Sequence, residues 1–121
     1  MQFITEQIGK ITQVKITGRI DAVCADDLQA FLLALLNNER IYLIIDCSDV
    51  IFLSSAGMRA FLTTMSETEK KGGKIFFCRF KARIEEVIRL TGLSKRFIHY
   101  HTLEETMQEL LAFINGTQNE A

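Results

Sequence analysis

The 121-residue sequence predicts one α/β domain with a mixed, mostly parallel sheet of four to five strands, an N-terminal antiparallel hairpin and about four helices. The length is that of a single domain with one core. The short apolar runs Tyr42 to Asp46 and Lys74 to Cys78 are typical of strands covered on both faces. Segments of helical periodicity separate these runs, and such alternation predicts parallel strands joined by crossover helices.

The N-terminal hairpin is predicted by a period of two. Thr12, Val14 and Ile16 alternate with more polar residues, as expected of a strand with one face on the core. Residues 3–7 form a partner strand, reached through a turn at Gly9 and the following lysine. Because the connection is this short, the two strands are antiparallel.

Four helices are predicted from apolar residues at three- and four-residue steps. The first begins at the acidic residues 26–27 and runs to about Asn38. The second begins at two serines, 54–55, and ends in a KKGG segment. The third stops at Gly92 and the fourth at Gly116. The residues that set the spacing are Leu28, Phe31, Leu32, Leu35 and Leu36; Met58, Phe61, Leu62 and Met65; Ile84, Val87 and Ile88; and Leu103, Met107, Leu110, Leu111 and Ile114.

The ends of the domain follow from these elements. A short strand, Phe97 to His101, separates the third and fourth helices and completes the sheet. We expect the domain to cover residues 1–116 and residues 117–121 to form a frayed tail.

Composition narrows the functional classes. A net charge of -1 disfavours a direct nucleic-acid binder, which needs a basic excess. The longest apolar runs are far shorter than a bilayer span, and the N-terminus lacks a signal pattern, so we expect no membrane insertion and a cytoplasmic location. Three widely spaced cysteines without a CxxC pair favour free thiols over a disulfide scaffold or a zinc site.

Motifs for catalysis are missing. The serines lie in LSSAGM, which lacks the first glycine of a hydrolase nucleophile elbow, and neither GxxxxGK[ST] nor GxGxxG occurs. His99 and His101 share a strand face, but no third cysteine, histidine or carboxylate lies at a sequence spacing typical of a metal site. We therefore favour an exposed pair over a metal site. We therefore expect a protein that is not an enzyme and holds no cofactor or metal. A nucleotide binder that uses acidic strand ends stays as a third possibility.

Three aspartates, Asp21, Asp46 and Asp49, are predicted at or just after the carboxyl ends of strands. This edge is where α/β proteins place their sites. Acidic residues at such positions are also common turn formers and helix caps. Both interpretations stay open.

Several strings, in one order over nearly the whole chain, resemble the STAS domain, the family of bacterial anti-sigma factor antagonists. Each string alone is weak, but their order is specific. They are GRID (18–21), YLIID followed by xxDV and an apolar tripeptide (42–53), SSAGMR (54–59), GGKIFFC (72–78) and VIRLTGL (87–93).

The resemblance implies a phosphorylation site. In the family pattern the loop before the second helix reads Asp, Ser, Ser or Thr, Gly, and an anti-sigma factor that is also a serine-protein kinase phosphorylates the serine after the aspartate. Matching on Gly57 makes Ser55 the phosphoacceptor, with Ser54 the second choice. The chain departs from the pattern with Ser54 at the aspartate and Ala56 at the second hydroxyl. Asp21 matches a position that the family places beside this loop.

The implied function is that of an anti-sigma factor antagonist. The unmodified form binds the kinase and frees a sigma factor, phosphorylation ends the complex, and a phosphatase resets it. We expect a monomer or weak dimer. The alternative is a non-switching STAS subunit of a membrane lipid-transport complex or other regulatory assembly. The expected partner surface is Asp21, Ser54, Ser55, Ala56, Gly57, Met58 and Arg59.

Physical chemistry leaves two roles for the serines. A phosphate adds roughly 1.5 to 2 negative charges, which the positive end of a helix tolerates. A partner packed over the same loop has to desolvate that charge or pair it, so phosphorylation should expel the partner. A serine before a helix also serves simply as an N-cap, and either Ser54 or Ser55 could have that role. Arg59 is either an ordinary exposed helix residue or a contact to the phosphate or partner.

Overall fold

The computed structural model describes residues 1–119, with side-chain surroundings given for residues 1–116. Within these residues the elements follow the predicted order, and the mixed sheet begins with an antiparallel hairpin, which confirms the predicted fold class. The elements are β1 Gln2–Ile8, β2 Ile11–Ile20, α1 Ala25–Asn37, β3 Tyr42–Leu53, α2 Ser55–Lys70, β4 Lys74–Cys78, α3 Ala82–Leu90, β5 His99–Tyr100 and α4 Leu103–Asn119.

The sheet has the strand order β1-β2-β3-β4-β5. β1 is antiparallel to β2 through a turn in which Gly9 has φ 59°, and the remaining neighbours are parallel. β3 is the central strand, as predicted. The carboxyl ends of β2, β3 and β4 therefore face one edge of the sheet, where α1, α2 and α3 begin.

Helices cover both faces of the sheet. α1, α2 and α3 share one apolar core with the sheet, and α4 packs with a second, smaller cluster on the other face. On the three-helix side, Phe61 contacts the rings of Phe77 and Phe97 edge-on, with centroids 5.1 and 6.3 Å away. α2 is thereby held against β4 and its amino end is fixed over the edge of the sheet.

β3 is longer than predicted. It spans 12 residues and pairs with β2 as far as Ile20 and Leu53, through two register irregularities at which β3 carries the extra residue. Asp46 and Asp49 consequently lie inside β3, and their predicted place at a strand end is wrong. β4 ends opposite Asp46, so beyond this residue β3 pairs with β2 alone.

The C-terminal elements also differ in detail. β5 has only two residues, and α4 continues to Asn119 rather than ending at Gly116. Gly116 lacks the positive φ that Gly92 (φ 77°) has after α3, so the helix does not end there. Leu111 is exposed, whereas Thr106 is buried, and its hydroxyl is satisfied there by donating to the Thr102 carbonyl at 2.7 Å. Of the predicted frayed tail, residues 120 and 121 lie outside the described residues.

Candidate functional site

The candidate site forms where β2 and β3 end side by side. The Ser54 backbone N–H donates to the Ile20 carbonyl at 2.8 Å. This bond joins the segment that follows β2 to the segment that precedes α2. Asp21 directly follows Ile20, so it comes one residue after the strand end that is hydrogen-bonded to Ser54.

Ser54 is the N-cap of α2. Its backbone is extended, with φ -82° and ψ 167°, and its Oγ accepts a hydrogen bond from the Gly57 N–H at 3.0 Å. The Ser54 carbonyl accepts the first helical bond, from the Met58 N–H at 3.0 Å. These are the features of a capping serine, and the hydroxyl of Ser54 is committed to that role.

Ser55 is the first residue of α2 and its side chain is exposed. Within the described part of the chain its hydroxyl makes no hydrogen bond. The first N–H groups of a helix have no acceptor inside the helix, and they carry the positive end of the helix dipole. An anion attached at Ser55 would lie in a favourable field.

Gly57 and Met58, which the sequence analysis placed on the partner surface, are buried below it. Met58 is only 7% exposed, and a Cβ on Gly57 would come within 2.6 Å of Ile20 Cγ2 and 2.9 Å of Leu53 Cδ1. The glycine lets α2 approach the ends of β2 and β3. These two residues position the exposed site and do not offer a contact surface themselves.

Asp21 is half-buried and organises the loop before α1. Its Oδ1 accepts a hydrogen bond from the Cys24 N–H at 3.0 Å, and this bond holds the pKa of the carboxyl below its usual value. Asp21 is thus a stable negative charge beside the serines. The structure supports a turn-forming role for Asp21.

A groove of about 220 Å³ runs between the starts of α1 and α2. Small residues line both helices of the groove, and two opposite charges, Asp26 and Arg59, are also among its lining residues. Ala56, at the α2 side, places the groove directly beside Ser55. The lining residues are Ala22, Ala25, Asp26, Gln29, Ala56, Arg59, Ala60 and Thr63.

Val23 is a residue of this surface that the sequence did not indicate. It lies in the loop between β2 and α1, two residues after Asp21, and its side chain is 89% exposed. Single exposed apolar side chains are common on protein surfaces, so the exposure of Val23 shows that it is accessible beside Asp21 and does not by itself mark a contact site. A single valine in a polar loop carries no periodic signal, so only the structure reveals it.

The two other aspartates have partners of their own. The buried Asp46 receives two hydrogen bonds from Arg79, at 3.2 and 2.5 Å, and one from the Ser48 N–H at 3.0 Å. Burial raises the pKa of Asp46, but these hydrogen bonds outweigh it and the net pKa is lowered. Asp49 pairs with Lys15 at 3.2 Å on the surface. Both aspartates are thus structural.

The histidines and cysteines were considered as metal ligands or disulfide partners. His99 is half-buried rather than exposed, with its ring nitrogens 2.9 Å from the Phe97 carbonyl and 3.1 Å from Glu85. Among the described residues no group of three or more His, Cys, Asp or Glu is placed to hold a metal. The cysteines are free: Cys24 is half-buried, while Cys47 and Cys78 are buried, and burial raises the pKa of Cys78 to about 11.

None of the helices in residues 1–119 has the length and apolar character needed to cross a bilayer.

Comparison with known proteins gives the family. Residues 2–110 match the STAS domain. The chain is 23% identical over 97 residues to a protein of Bordetella bronchiseptica described as the anti-sigma factor antagonist BtrV, covering 80% of this chain and 84% of the relative. The structure of an anti-sigma factor antagonist from Mycobacterium paratuberculosis is 28% identical, with a TM-score of 0.81 over 90% of this chain and 92% of that one.

A third similar structure is that of a phosphorylated protein. The Bacillus cell fate determinant SpoIIAA in its phosphorylated form superposes with a TM-score of 0.70, at 17% identity, over 90% of this chain and 99% of that one. At 17% sequence identity this similarity shows a shared fold only. Since the family match extends over residues 2–110, the chain belongs to the STAS domain family.

Proposed function

We propose that this chain is an anti-sigma factor antagonist switched by phosphorylation of Ser55. In this account the unmodified form binds an anti-sigma factor that is also a serine-protein kinase, and a sigma factor is released. The kinase then phosphorylates Ser55 and the complex dissociates. A phosphatase restores the binding form. Membership of the STAS family and the likeness to proteins described as anti-sigma factor antagonists support the proposal.

The observation that carries the site assignment is the division of roles between the serines. Ser54 is engaged as the cap of α2, through its bond from Gly57. Ser55 is exposed, and no described residue bonds its hydroxyl. A kinase can thus modify Ser55 without breaking the start of the helix, whereas a phosphate on Ser54 would remove the cap.

The charge of the phosphate accounts for the switch. In the free protein the phosphate is solvated and lies at the positive end of a 16-residue helix, so the fold survives the modification. In the complex the partner covers the loop, and the phosphate has to be desolvated beside the negative Asp21. A buried, unpaired charge costs several kcal/mol, on the order of what a moderate interface supplies in total. Phosphorylation therefore expels the partner.

The proposed contact surface combines apolar and polar groups. Val23 supplies an exposed apolar contact, and Ser55 and Arg59 lie along the exposed side of α2, next to the groove lined by Ala22 and Ala56. A small apolar anchor with a polar rim is the usual composition of a transient interface. The surface is also small enough for one phosphate to change the affinity greatly.

A phosphotransfer assay tests the proposal. The serine-protein kinases of the anti-sigma factor type from the same organism are incubated with ATP and the wild-type protein, Ser54→Ala or Ser55→Ala. We expect one kinase to modify wild type and Ser54→Ala and to leave Ser55→Ala unmodified. Modification of Ser55→Ala to the wild-type extent would overturn the site assignment.

The same set of proteins separates the switch from a constitutive subunit. If no kinase modifies any of the three proteins while Ser55→Ala and wild type bind the same partner equally, the chain is a non-switching STAS subunit. The exposed and uncommitted hydroxyl of Ser55 favours the switch, because a constitutive docking subunit has no need of it.

A further inference from the structure

The amino end of α2 has an electrostatic feature that sets it apart from the other helices of residues 1–119. The first turns of α1, α3 and α4 each contain a carboxylate, and that of α2 contains none. Negative side chains in a first turn balance the helix dipole. The positive end of α2 is therefore without a balancing charge as long as Ser55 is unmodified.

Arg59 is placed one turn after Ser55. Residues four apart lie on the same face of a helix, with Cβ atoms roughly 5–6 Å from each other. Helical Cα–Cβ bonds tilt toward the amino terminus, and long side chains extend over the preceding turn. Both residues are exposed, and Arg59 borders the groove beside Ala56, so its guanidinium can turn toward Ser55 without displacing a buried group.

Arg59 is also uncommitted in the unmodified protein. Arg79 and Arg89 each pair with a carboxylate at 2.5 Å, whereas Arg59 forms no ion pair with any residue that the structure describes. Asp26 lines the same groove without pairing with it. A guanidinium binds two phosphate oxygens through two parallel hydrogen bonds. A phosphate dianion also carries more negative charge than the single carboxylate of Asp26, so it attracts Arg59 more strongly.

We propose that Arg59 binds the phosphate of Ser55 within the same chain and holds it as the dianion over the first turn of α2. The inference rests on the proposed phosphorylation of Ser55. Phosphorylation then has two effects on the contact surface: it adds an anion, and it withdraws the one arginine of this surface from the partner. Arg59 acts as a positioning residue for the phosphate.

The test uses protein that carries phosphoserine at position 55, introduced during translation by genetic-code expansion, so that no kinase is needed. Phosphorus-31 NMR between pH 4 and pH 9 gives the second pKa of the phosphate. Wild type is compared with Arg59→Gln and with Lys71→Gln. Lys71 is exposed at the other end of α2, about 24 Å away at 1.5 Å per residue, and its substitution removes the same charge.

A nearby cation favours the dianion and lowers the second pKa from its ordinary value of about 6. We expect Arg59→Gln to raise the second pKa by about 0.5 relative to wild type, the size typical of an exposed pair at this spacing. Lys71→Gln should leave the value unchanged. Equal values for wild type and Arg59→Gln, or equal shifts in both variants, would overturn the inference.

The outcome of this pKa measurement does not depend on whether a kinase phosphorylates Ser55 in the cell. Because the phosphate is installed without a kinase, equal values would remove the role of Arg59 and leave the phosphorylation switch standing. Absence of any kinase for Ser55 would remove the switch and leave the measured pKa difference intact. Thermal unfolding of the unmodified variants shows whether each remains folded, which the exposure of both side chains leads us to expect.

Discussion

The Oγ of Ser54 accepts a hydrogen bond from the backbone N–H of Gly57, 3.0 Å away, and this bond assigns different roles to two adjacent serines. Ser54 caps α2. Ser55, one residue later, keeps an exposed hydroxyl at the end of the helix where negative charge is favoured. The capping serine and the proposed phosphorylation site are thus adjacent residues of the chain.

The first prediction follows from this separation. Ser54→Ala should lower the free energy of unfolding by about 1 kcal/mol, because an alanine offers no acceptor to the Gly57 N–H. Ser55→Ala should change the free energy of unfolding by less than about 0.5 kcal/mol. Urea unfolding followed by circular dichroism measures both. A larger loss for Ser55→Ala than for Ser54→Ala would contradict the cap assignment.

The second prediction concerns the close approach at Gly57. Gly57→Ala should lower the free energy of unfolding by about 1–3 kcal/mol, since the added methyl group meets Ile20 and Leu53. Gly116→Ala is the matched control within a helix, where nothing lies within 4 Å of the added Cβ. It should stabilise α4 by up to about 1 kcal/mol through helix propensity. The same sign for both substitutions would show that propensity, not packing, governs Gly57.

The third prediction concerns the pH dependence of the Asp46–Arg79 pair. The folded state lowers the pKa of Asp46, so its stabilising contribution is complete above the ordinary value of 3.8 and is lost as the pH falls through the lower folded value. Asp46→Asn should lower the free energy of unfolding by about 2–4 kcal/mol at pH 7. The difference from wild type should shrink near pH 2.

Asp49→Asn is the control for this pair, because Asp49 meets Lys15 in an exposed salt bridge. Its cost should stay below about 1 kcal/mol at pH 7. Chemical unfolding at several pH values measures both variants. A difference between wild type and Asp46→Asn that does not change with pH would contradict the role given to the charge of Asp46.

The fourth prediction concerns the exposed apolar contact at Val23. Val23→Ser should weaken binding of the anti-sigma factor about fivefold or more, because an apolar side chain would no longer be buried in the complex. Leu90→Ser is the control, since Leu90 is 71% exposed on α3. Isothermal titration calorimetry measures the affinity of both variants. Equal weakening by both substitutions would argue against a contact centred on the loop before α1.

The order of helices and strands could be predicted because periodicity and end signals agree. β4, Lys74–Cys78, was predicted residue for residue, because the apolar run of residues 75–78 is typical of a strand covered on both faces. Ser54 and Gly72 mark the ends of α2 through local chemistry, a side-chain cap and a backbone with φ 78°. Local signals of this kind can be recognised from the sequence alone.

Long-range pairing was not predictable in the same way. Asp46 looked like the end of a strand, because a carboxylate inside a sheet is costly unless it is paired. Its partner Arg79 is 33 residues away, and no local pattern connects the two. The second half of β3 was missed for a related reason: its pairing with β2 contains register irregularities, which break the alternation that a strand normally shows.

A candidate site could be proposed from the sequence, but the different hydrogen bonding of its two serines could not be predicted. The two serines, Asp21 and Arg59 were indicated by the order of the motifs. Which hydroxyl caps the helix depends on backbone angles, and the exposure of Val23 depends on the path of a loop. Both are properties of the folded chain.

The most direct test of the central claim is the intact mass, with fragment mapping, of the protein isolated from its native cells during growth and under stress. The account predicts a population that carries one phosphate, localised to Ser55. A phosphate localised to Ser54 would contradict the assignment to Ser55. A wholly unmodified population under every condition would contradict the switch and leave the STAS fold as a constitutive docking subunit.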